Sequence, residues 1–248
     1  MIEAFISGLT YPARALGVLA RTPRLWGYIL IPMLVNIVVG VTIYVGLLFA
    51  GLRAIDSFLV GLPEWAALFG VLLRILLIVT GFVLVRFGVV LGSPWYTQLS
   101  AQLELLRTSQ PAPEGGTGVG VALRDLGRAL IFELQKLLLV LAIALVLLLL
   151  NLIPVVGQLL TTAGGIALGA TIACLDFFDY PLERRQLSFR TKLGLIRRSL
   201  PASAGFGLVC LGLVSIPFVN LLSIPLCVAA GTLFFCDRIR IGCIQDRR

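Results

Sequence analysis

The 248-residue chain contains no histidine. That absence removes Ser-His-Asp and Cys-His catalysis, histidine-containing metal sites and imidazole pH switching. Charge is scarce as well, at 13% of residues against roughly a quarter in soluble domains. Cysteine occurs five times, at Cys174, Cys210, Cys227, Cys236 and Cys243, with no Cys-x-x-Cys pair. An odd, unpatterned set in mainly apolar stretches reads as small hydrophobes rather than a disulfide framework. No G-x-x-x-x-G-K-[ST] string occurs, so the chain carries no P-loop of its own. The run Gly115-Gly116-Thr117-Gly118-Val119-Gly120 follows Pro111-Ala112-Pro113 and lacks a third glycine at dinucleotide spacing, so it reads as a flexible connection. No nucleophile, base or metal-ligand cluster stands out. The chain is therefore not read as an enzyme, and neither cofactor nor metal is expected.

What is present in excess is apolar surface. Hydrophobic residues make up 59% of the chain and the mean hydropathy is +1.04, which a soluble domain could not cover. The reading is an all-α integral membrane protein. Leu25 to Leu52 is 28 residues without a charge, and Trp65 to Val85 is interrupted only by Arg74; each is long enough for a transmembrane helix. The N-terminus lacks a signal-peptide layout, because its first apolar run starts late and is too long for an h-region.

Two further runs, Leu137 to Leu175 and Ser199 to Cys236, hold 39 and 38 uncharged residues. Each is broken near its middle, by Ile153-Pro154-Val155-Val156-Gly157-Gln158 and by Ile216-Pro217-Phe218-Val219-Asn220. Proline removes a helix donor, and the neighbouring Gly or Asn favours a reversal. An aspartate, Asp176 or Asp237, follows each proline by about two dozen residues or fewer, so the pattern reads as a repeated helical hairpin. The first arms, Leu137–Ile153 and Ala202–Ile216, reach roughly 25 Å or less, short of a ~30 Å hydrocarbon core. Length alone leaves full spans and re-entrant hairpins both open.

A single membrane domain with eight segments follows. Residues 1–24 form an interfacial segment, 25–110 two long helices, 111–120 a flexible connection and 121–136 a cytoplasmic helix. Residues 137–175 form the first hairpin, 176–199 a basic loop, 200–236 the second hairpin and 237–248 a basic tail. Apolar stripes at helical spacing mark three outlying stretches: Ile2, Phe5, Ile6 and Leu9; Trp95, Leu99, Leu103 and Leu106; and Leu123, Leu126, Leu130, Leu134 and Leu137. All three are expected to pack against the membrane domain.

Net charge is +8, but its distribution argues for topology rather than nucleic acid. Setting aside Arg74 and Arg86 within the second long helix, 17 of the remaining 18 basic residues fall on one side of the proposed spans, with Arg53 as the exception. The positive-inside rule makes that side cytoplasmic, both termini included.

These features together resemble the CysZ-type sulfate permease family, which is related to the etoposide-induced endoplasmic-reticulum membrane proteins. The resemblance rests on Tyr11-Pro12, Ile31-Pro32-Met33-Leu34-Val35-Asn36, Ser93-Pro94, Gln102-Leu103-Glu104 and Glu133-Leu134-Gln135-Lys136. It continues through both hairpin tips to Asp179-Tyr180-Pro181 and Asp237. It implies two long transmembrane helices plus two Pro-broken hairpins that enter the membrane partway. It further implies sulfate uptake across a bacterial inner membrane for cysteine synthesis, by a homo-oligomer without its own ATPase. In the family a Gly-Leu-Arg type sequence before the first long helix contacts sulfate. Here the stretch is Pro23-Arg24-Leu25-Trp26-Gly27: the leucine matches, Trp26 stands at the basic position, and Arg24 offers a charge beside it.

A divalent anion cannot cross hydrocarbon unaided, so donors must be found. Helix starts after the hairpin tips would offer Gln158, Thr161 and Thr162 in the first hairpin, and Asn220 and Ser223 in the second. The same groups also suit a plainer role, satisfying backbone freed by the prolines. Arg74 lies roughly 15 Å into its span and is a candidate by the general rule for intramembrane arginine. Glu133 and Asp179 are expected in ion pairs at helix ends. The candidate pathway is thus Arg24, Leu25, Arg74, Gln158, Thr161, Thr162, Asn220 and Ser223. The competing function is a non-transporting scaffold or lipid-interacting protein of the same superfamily.

Topology is directly testable. A single cysteine placed by Arg197→Cys should resist impermeant thiol reagents in intact cells; rapid labelling from outside would reverse the orientation.

Overall fold

The structure is a computed structural model that describes residues 1–59, 69–78, 93–111, 119–153, 155–216 and 219–239. The tip prolines Pro154 and Pro217, Phe218, the Gly-rich connection at 112–118, Arg86, Cys243 and the tail from Arg240 lie outside the described residues. The described residues are helical with no strand among them. In chain order the helices are α1 (Ile2–Leu9), α2 (Tyr11–Arg21), α3 (Gly27–Leu59), α4 (Phe69–Ile78), α5 (Ser93–Thr108), α6 (Val119–Leu150), α7 (Val156–Glu183), α8 (Phe189–Arg198), α9 (Ala202–Ser215) and α10 (Val219–Phe234). A 3₁₀ turn at Pro23–Leu25 precedes α3, and a π turn at Phe235–Ile239 follows α10.

Four stretches are long and apolar enough to cross a membrane: Pro23–Phe58, Gly127–Leu150, Val156–Glu183 and Val219–Ile239. The short α9 forms a bent pair with α8, turning by 106° at Leu200-Pro201. The first arm of the first hairpin is longer than the uncharged run alone indicates. It belongs to one continuous helix, α6, which begins at Val119 and runs through the 136/137 boundary. Its charged residues Arg124, Asp125, Arg128, Glu133 and Lys136 shortened the apparent arm without interrupting the helix. At the first tip Val155 takes φ +65° and ψ −64°, a costly conformation for a β-branched residue. The chain reverses there so that α7 folds back on α6.

The chain divides into two compact units, residues 26–96 and residues 1–25 with 97–248. In the first, α3 and α4 run antiparallel. A Cβ on Gly51 would meet Leu77 Cδ2 at 2.5 Å, and Asp56 pairs with Arg74 at 2.6 Å. None of the most apolar window of α3 is buried, as expected of a helix whose solvent is lipid.

In the second unit α7 packs on α6, α9 and α10, while α1 crosses α9 and α2 lies on α10. The core is an aromatic cluster. Phe178 of α7 lies 4.8 Å from Phe206 of α9 and 4.9 Å from Phe234 of α10, and Tyr11 of α2 sits 4.9 Å from Phe234. Without a strong hydrophobic drive between helices in lipid, such contacts depend on small residues that let backbones approach. A Cβ on Gly205 would come within 2.3 Å of the Phe5 carbonyl oxygen, and one on Gly8 within 2.0 Å of the Ala202 oxygen. On α10, a Cβ on Gly231 would lie 2.5 Å from the Phe177 oxygen. That carbonyl has no helical donor four residues on, because the residue there is Pro181. The glycine therefore lets α10 close over an acceptor left open by proline.

Two of the three apolar stripes pack as expected in part: Leu99 and Leu103 are buried, whereas Ile2, Ile6 and Leu106 remain exposed. The α6 stripe does not. Leu130, Leu134 and Leu137 are all exposed, because α6 turns Phe132 inward and leaves its leucine face as a continuation of the lipid-facing span. Cys174, Cys210, Cys227 and Cys236 are buried and unlinked, in keeping with their reading as small hydrophobes.

The α1–α9 crossing gives a stability test. Gly205→Ala should lower the thermal midpoint in detergent by the equivalent of about 1–3 kcal/mol of overpacking. Gly212→Ala on the same helix, where a Cβ meets nothing within 4 Å, should leave it unchanged or higher.

Candidate functional site

The C-terminal end of α7 carries Asp176, Asp179 and Glu183 at i, i+3 and i+7, followed at once by Arg184 and Arg185. Helical spacing puts the three carboxylates on one face, and two lysines meet them. Lys136 of α6 bonds Asp176 at 2.8 Å and Glu133 at 2.8 Å. Lys192 of α8 is almost fully buried and bonds Glu183 at 2.6 Å and Asp179. Its ammonium also lies 4.2 Å from the Phe132 ring centroid, while that of Lys136 lies 5.7 Å from the same ring. Helix α8 is positioned for this by Ser188, whose hydroxyl accepts from the Thr191 N–H as an N-cap.

The two arginines close on Glu104 of α5, a carboxylate only 1% exposed. Arg184 donates to Glu104 at 3.0 Å, to Ser100 Oγ at 3.2 Å and to the Thr97 carbonyl at 3.1 Å. Arg185 bonds the second Glu104 oxygen and the Pro181 carbonyl, and stacks 4.5 Å over Phe235. Ser100 and Thr232 hydroxyls, 2.8 Å apart, extend this buried polar cluster to α10. Burial pushes the Glu104 carboxyl up, but the bonds and charges of Arg185 and Arg184 outweigh it and hold it below the ordinary glutamate value. Burial lowers Arg184 in turn, against the pull of Glu104. The arrangement is a charge-neutralising brace, with every ionic group near its opposite.

The eight sequence candidates are dispersed. Arg24 sits exposed in the 3₁₀ turn, with no ion-pair partner among the described residues. Leu25 is 3% exposed and its N–H bonds the Thr22 carbonyl at 3.0 Å, so the buried leucine anchors the turn that holds Arg24 outward. Arg74 pairs with Asp56, a partner the sequence reading missed because Asp56 lies beyond the first uncharged run. Helix α3 continues through Arg53 and Asp56 to Leu59. Thr161 donates to the Leu147 carbonyl at 3.0 Å across the first hairpin, and Thr162 to the Gln158 carbonyl at 2.9 Å within α7. Both hydroxyls thus take the plainer, backbone-satisfying role. Gln158 is exposed and Ser223 is buried. Asn220 has a buried side-chain oxygen without a hydrogen-bond partner among the described residues. The Thr162 hydroxyl bond to Gln158 is the single side-chain hydrogen bond among the described residues that links two of the eight.

Glu133 and Asp179 form the ion pairs expected of them. Glu104, Arg184, Arg185 and Lys192 were missed as a site. Their signal was available: Glu104 stands between Leu103 and Leu105 beside the apolar stripe of its helix, and a carboxylate buried with that stripe needs a partner.

Four apolar spans, a helical fold and a charged brace at one end of α7 define an all-α integral membrane protein. A family model described as sulfate transporter CysZ/etoposide-induced protein 2.4 matches residues 11–225. The chain is 30% identical over 232 residues to the sulfate transporter CysZ of Vibrio cholerae serotype O1, covering 90% of each chain. It is 28% identical to the Pectobacterium atrosepticum protein of that name, over 90% of this chain and 82% of the relative, and 28% identical to that of Salmonella typhimurium, over 88% of each. The chain belongs to the CysZ/etoposide-induced protein 2.4 family.

Glu104→Gln would leave two part-buried guanidiniums facing a neutral amide and should destabilise the protein, by at most about 3–5 kcal/mol near neutral pH. Because the native Glu104 carboxyl is depressed, its stabilising contribution is complete above the ordinary glutamate range. It is lost as pH falls through that range toward the native value. The stability gap between wild type and Glu104→Gln should therefore narrow on acidification, measured by thermal unfolding at stepped pH.

Proposed function

We propose that this protein is a sulfate permease of a bacterial inner membrane, working as a homo-oligomer and supplying sulfate for cysteine synthesis. The observation that carries the reading is the family match along residues 11–225, together with relatives of similar length named as sulfate transporters. Both termini, the segment around α5 and α8 are assigned to the cytoplasm from the one-sided basic residues.

In this reading Arg24 is the first contact for the anion. Its guanidinium stands clear of the carboxylates that occupy Arg184, Arg185 and Lys192, so it can offer paired donors to an oxyanion. Leu25 serves as the anchor of the turn. Asn220 and Gln158 supply polar groups near the hairpin tips, and Ser223 follows on the second arm of the second hairpin. Thr161 chiefly holds the first hairpin together, Thr162 bonds within α7, and Arg74 is neutralised by Asp56.

The test is radiolabelled sulfate uptake into vesicles reconstituted with purified protein, with chloride and phosphate as competitors. Arg24→Ala should reduce uptake about tenfold or more at equal protein content, as expected for loss of a charge-assisted bond of ~1.5–3 kcal/mol. Arg24→Lys should also lose transport, since lysine cannot present the same fork; a residue that only anchored the helix would tolerate it. Unchanged uptake in Arg24→Ala would remove Arg24 from the site. No sulfate uptake by the wild type would favour the scaffold function.

A further inference from the structure

The second unit contains a half-open cavity of about 280 Å³ beside the N-terminal helices, apart from the charged brace and from the candidate anion residues. Tyr11, Arg14 and Val18 line it from one face of α2, Leu103, Leu106 and Arg107 from α5, and Leu233 and Asp237 from α10 and its π turn. The two kinds of side chain divide. Val18, Leu103, Leu106 and Leu233 make an aliphatic wall, and Leu106 is 58% exposed, opening that wall to the surroundings. The polar lining is Arg14, 5.1 Å over the Tyr11 ring, and Arg107, which bonds Asp237 at 2.9 Å. Arg238 adds a further guanidinium, bonding Ser7 at 3.0 Å and reaching the Tyr11 hydroxyl. Two guanidiniums thus line the cavity against one carboxylate, and Arg238 beside Tyr11 adds to the positive surplus.

The same N-terminal segment exposes Ile2 and Ile6, on a short helix that covers α9 with its other face. A helix so placed, with Ile2 and Ile6 exposed and its other face on α9, suits the plane of the membrane interface. A cavity beside it, lined by both guanidiniums and aliphatic side chains, matches the junction of a phosphate headgroup and its acyl chains. An inorganic oxyanion would leave the aliphatic wall unused, and a zwitterionic lipid would bring its own cation against Arg14.

We propose that this cavity is a binding site for an anionic phospholipid, with the phosphodiester beside Arg14 and Arg107 and an acyl chain running along Val18, Leu103 and Leu106. The site is independent of the transported substrate and ties the N-terminal helices to the lipid composition of the leaflet.

Native mass spectrometry of the full-length protein in detergent tests this, with dioleoyl phosphatidylglycerol and dioleoyl phosphatidylcholine offered at equal concentration. Phosphatidylglycerol adducts should predominate. Arg14→Gln should reduce them about fivefold, the worth of one basic residue at an anionic surface, and Arg14→Lys should largely retain them. Leu106→Trp, which fills the aliphatic half and leaves all three guanidiniums in place, should also suppress them; this variant keeps the test sound if Arg14→Gln proves unstable. Sulfate or phosphate at the same ionic strength as a chloride control should not displace the lipid. Equal adducts of the two lipids, or an unchanged preference in Leu106→Trp, would overturn the proposal. Displacement by sulfate beyond the chloride control would assign the cavity to a free oxyanion instead.

Discussion

The second unit depends on how closely four helix backbones can approach around Phe178, Phe206 and Phe234. Three rings 4.8–5.5 Å apart, Phe178 stacked on both others and Phe206 tilted to Phe234, require α7, α9 and α10 to meet at short range. In lipid, burying apolar rings gives little net advantage over leaving them in hydrocarbon, so packing must supply the specificity. Gly205, Gly8 and Gly231 allow the approach by omitting a Cβ where a neighbouring carbonyl lies. Pro181 contributes by leaving the Phe177 carbonyl unbonded within its own helix, which lets the Gly231 backbone settle against it. The Asp-Tyr-Pro string, chemically unremarkable by itself, thus has a packing role in its proline and an ionic one in Asp179.

Where the rings end, the ions begin. Phe178 is followed by Asp179, and Phe234 is followed within three residues by Asp237. Helix α7, which carries Phe178, also carries Asp176, Asp179 and Glu183 of the brace, all within five residues of that ring. A buried ion pair is not a dependable source of stability, because desolvation opposes the Coulomb gain. Its better justification here is geometric. Glu104 between Arg184 and Arg185, and Lys192 between Asp179 and Glu183, can be satisfied in one register of α5, α7 and α8 only. A slip of one residue would leave a charge without its opposite. Apolar helices that can slide against each other are fixed in depth and rotation by polar groups that cannot.

The sequence was informative where one physical effect dominates. Uncharged runs gave the first long helix and the apolar arms after it, and the break at Ile153 to Gly157 gave the first reversal. Most of the expected span from Trp65 to Val85 lies outside the described residues. The lack of histidine and of a cysteine framework excluded whole chemistries. It was less informative where two distant residues must be matched. Arg74 was recognisable as a residue needing a partner, but Asp56 could be found only from the antiparallel register of α3 and α4. Charges also misled the reading of α6. Glu133 and Lys136 suggested the end of one element and the start of another, yet a helix continues through charges when they pair with each other at i, i+3 and with Asp176. The leucine stripe of α6 has the period of a packing face, but period alone does not say whether the apolar side meets protein or lipid. Of the candidate anion residues, the threonines resolved into carbonyl partners because a hydroxyl in a helix readily bonds a nearby carbonyl.

The chain therefore treats its arginines in two ways, and the difference bears on how a membrane protein can handle anions. Arg184 and Arg185 are charge-paired with Glu104, the Arg184 Nε–H being buried without a hydrogen-bond partner among the described residues, and a paired guanidinium is poorly placed for a passing oxyanion. Arg24 and Arg14 lie on surface turns and helices without a carboxylate bonded to them among the described residues, one before the first long span and one over an aromatic ring. A small dianion with no apolar part needs donors and access to water, which an exposed turn offers. An anionic lipid needs fewer donors and a wall for its chain, which Arg14 has in Val18 and Leu106 and Arg24 does not. Adjacent residue types thus support the two proposals made for these arginines, a transported oxyanion at Arg24 and a lipid phosphate at Arg14.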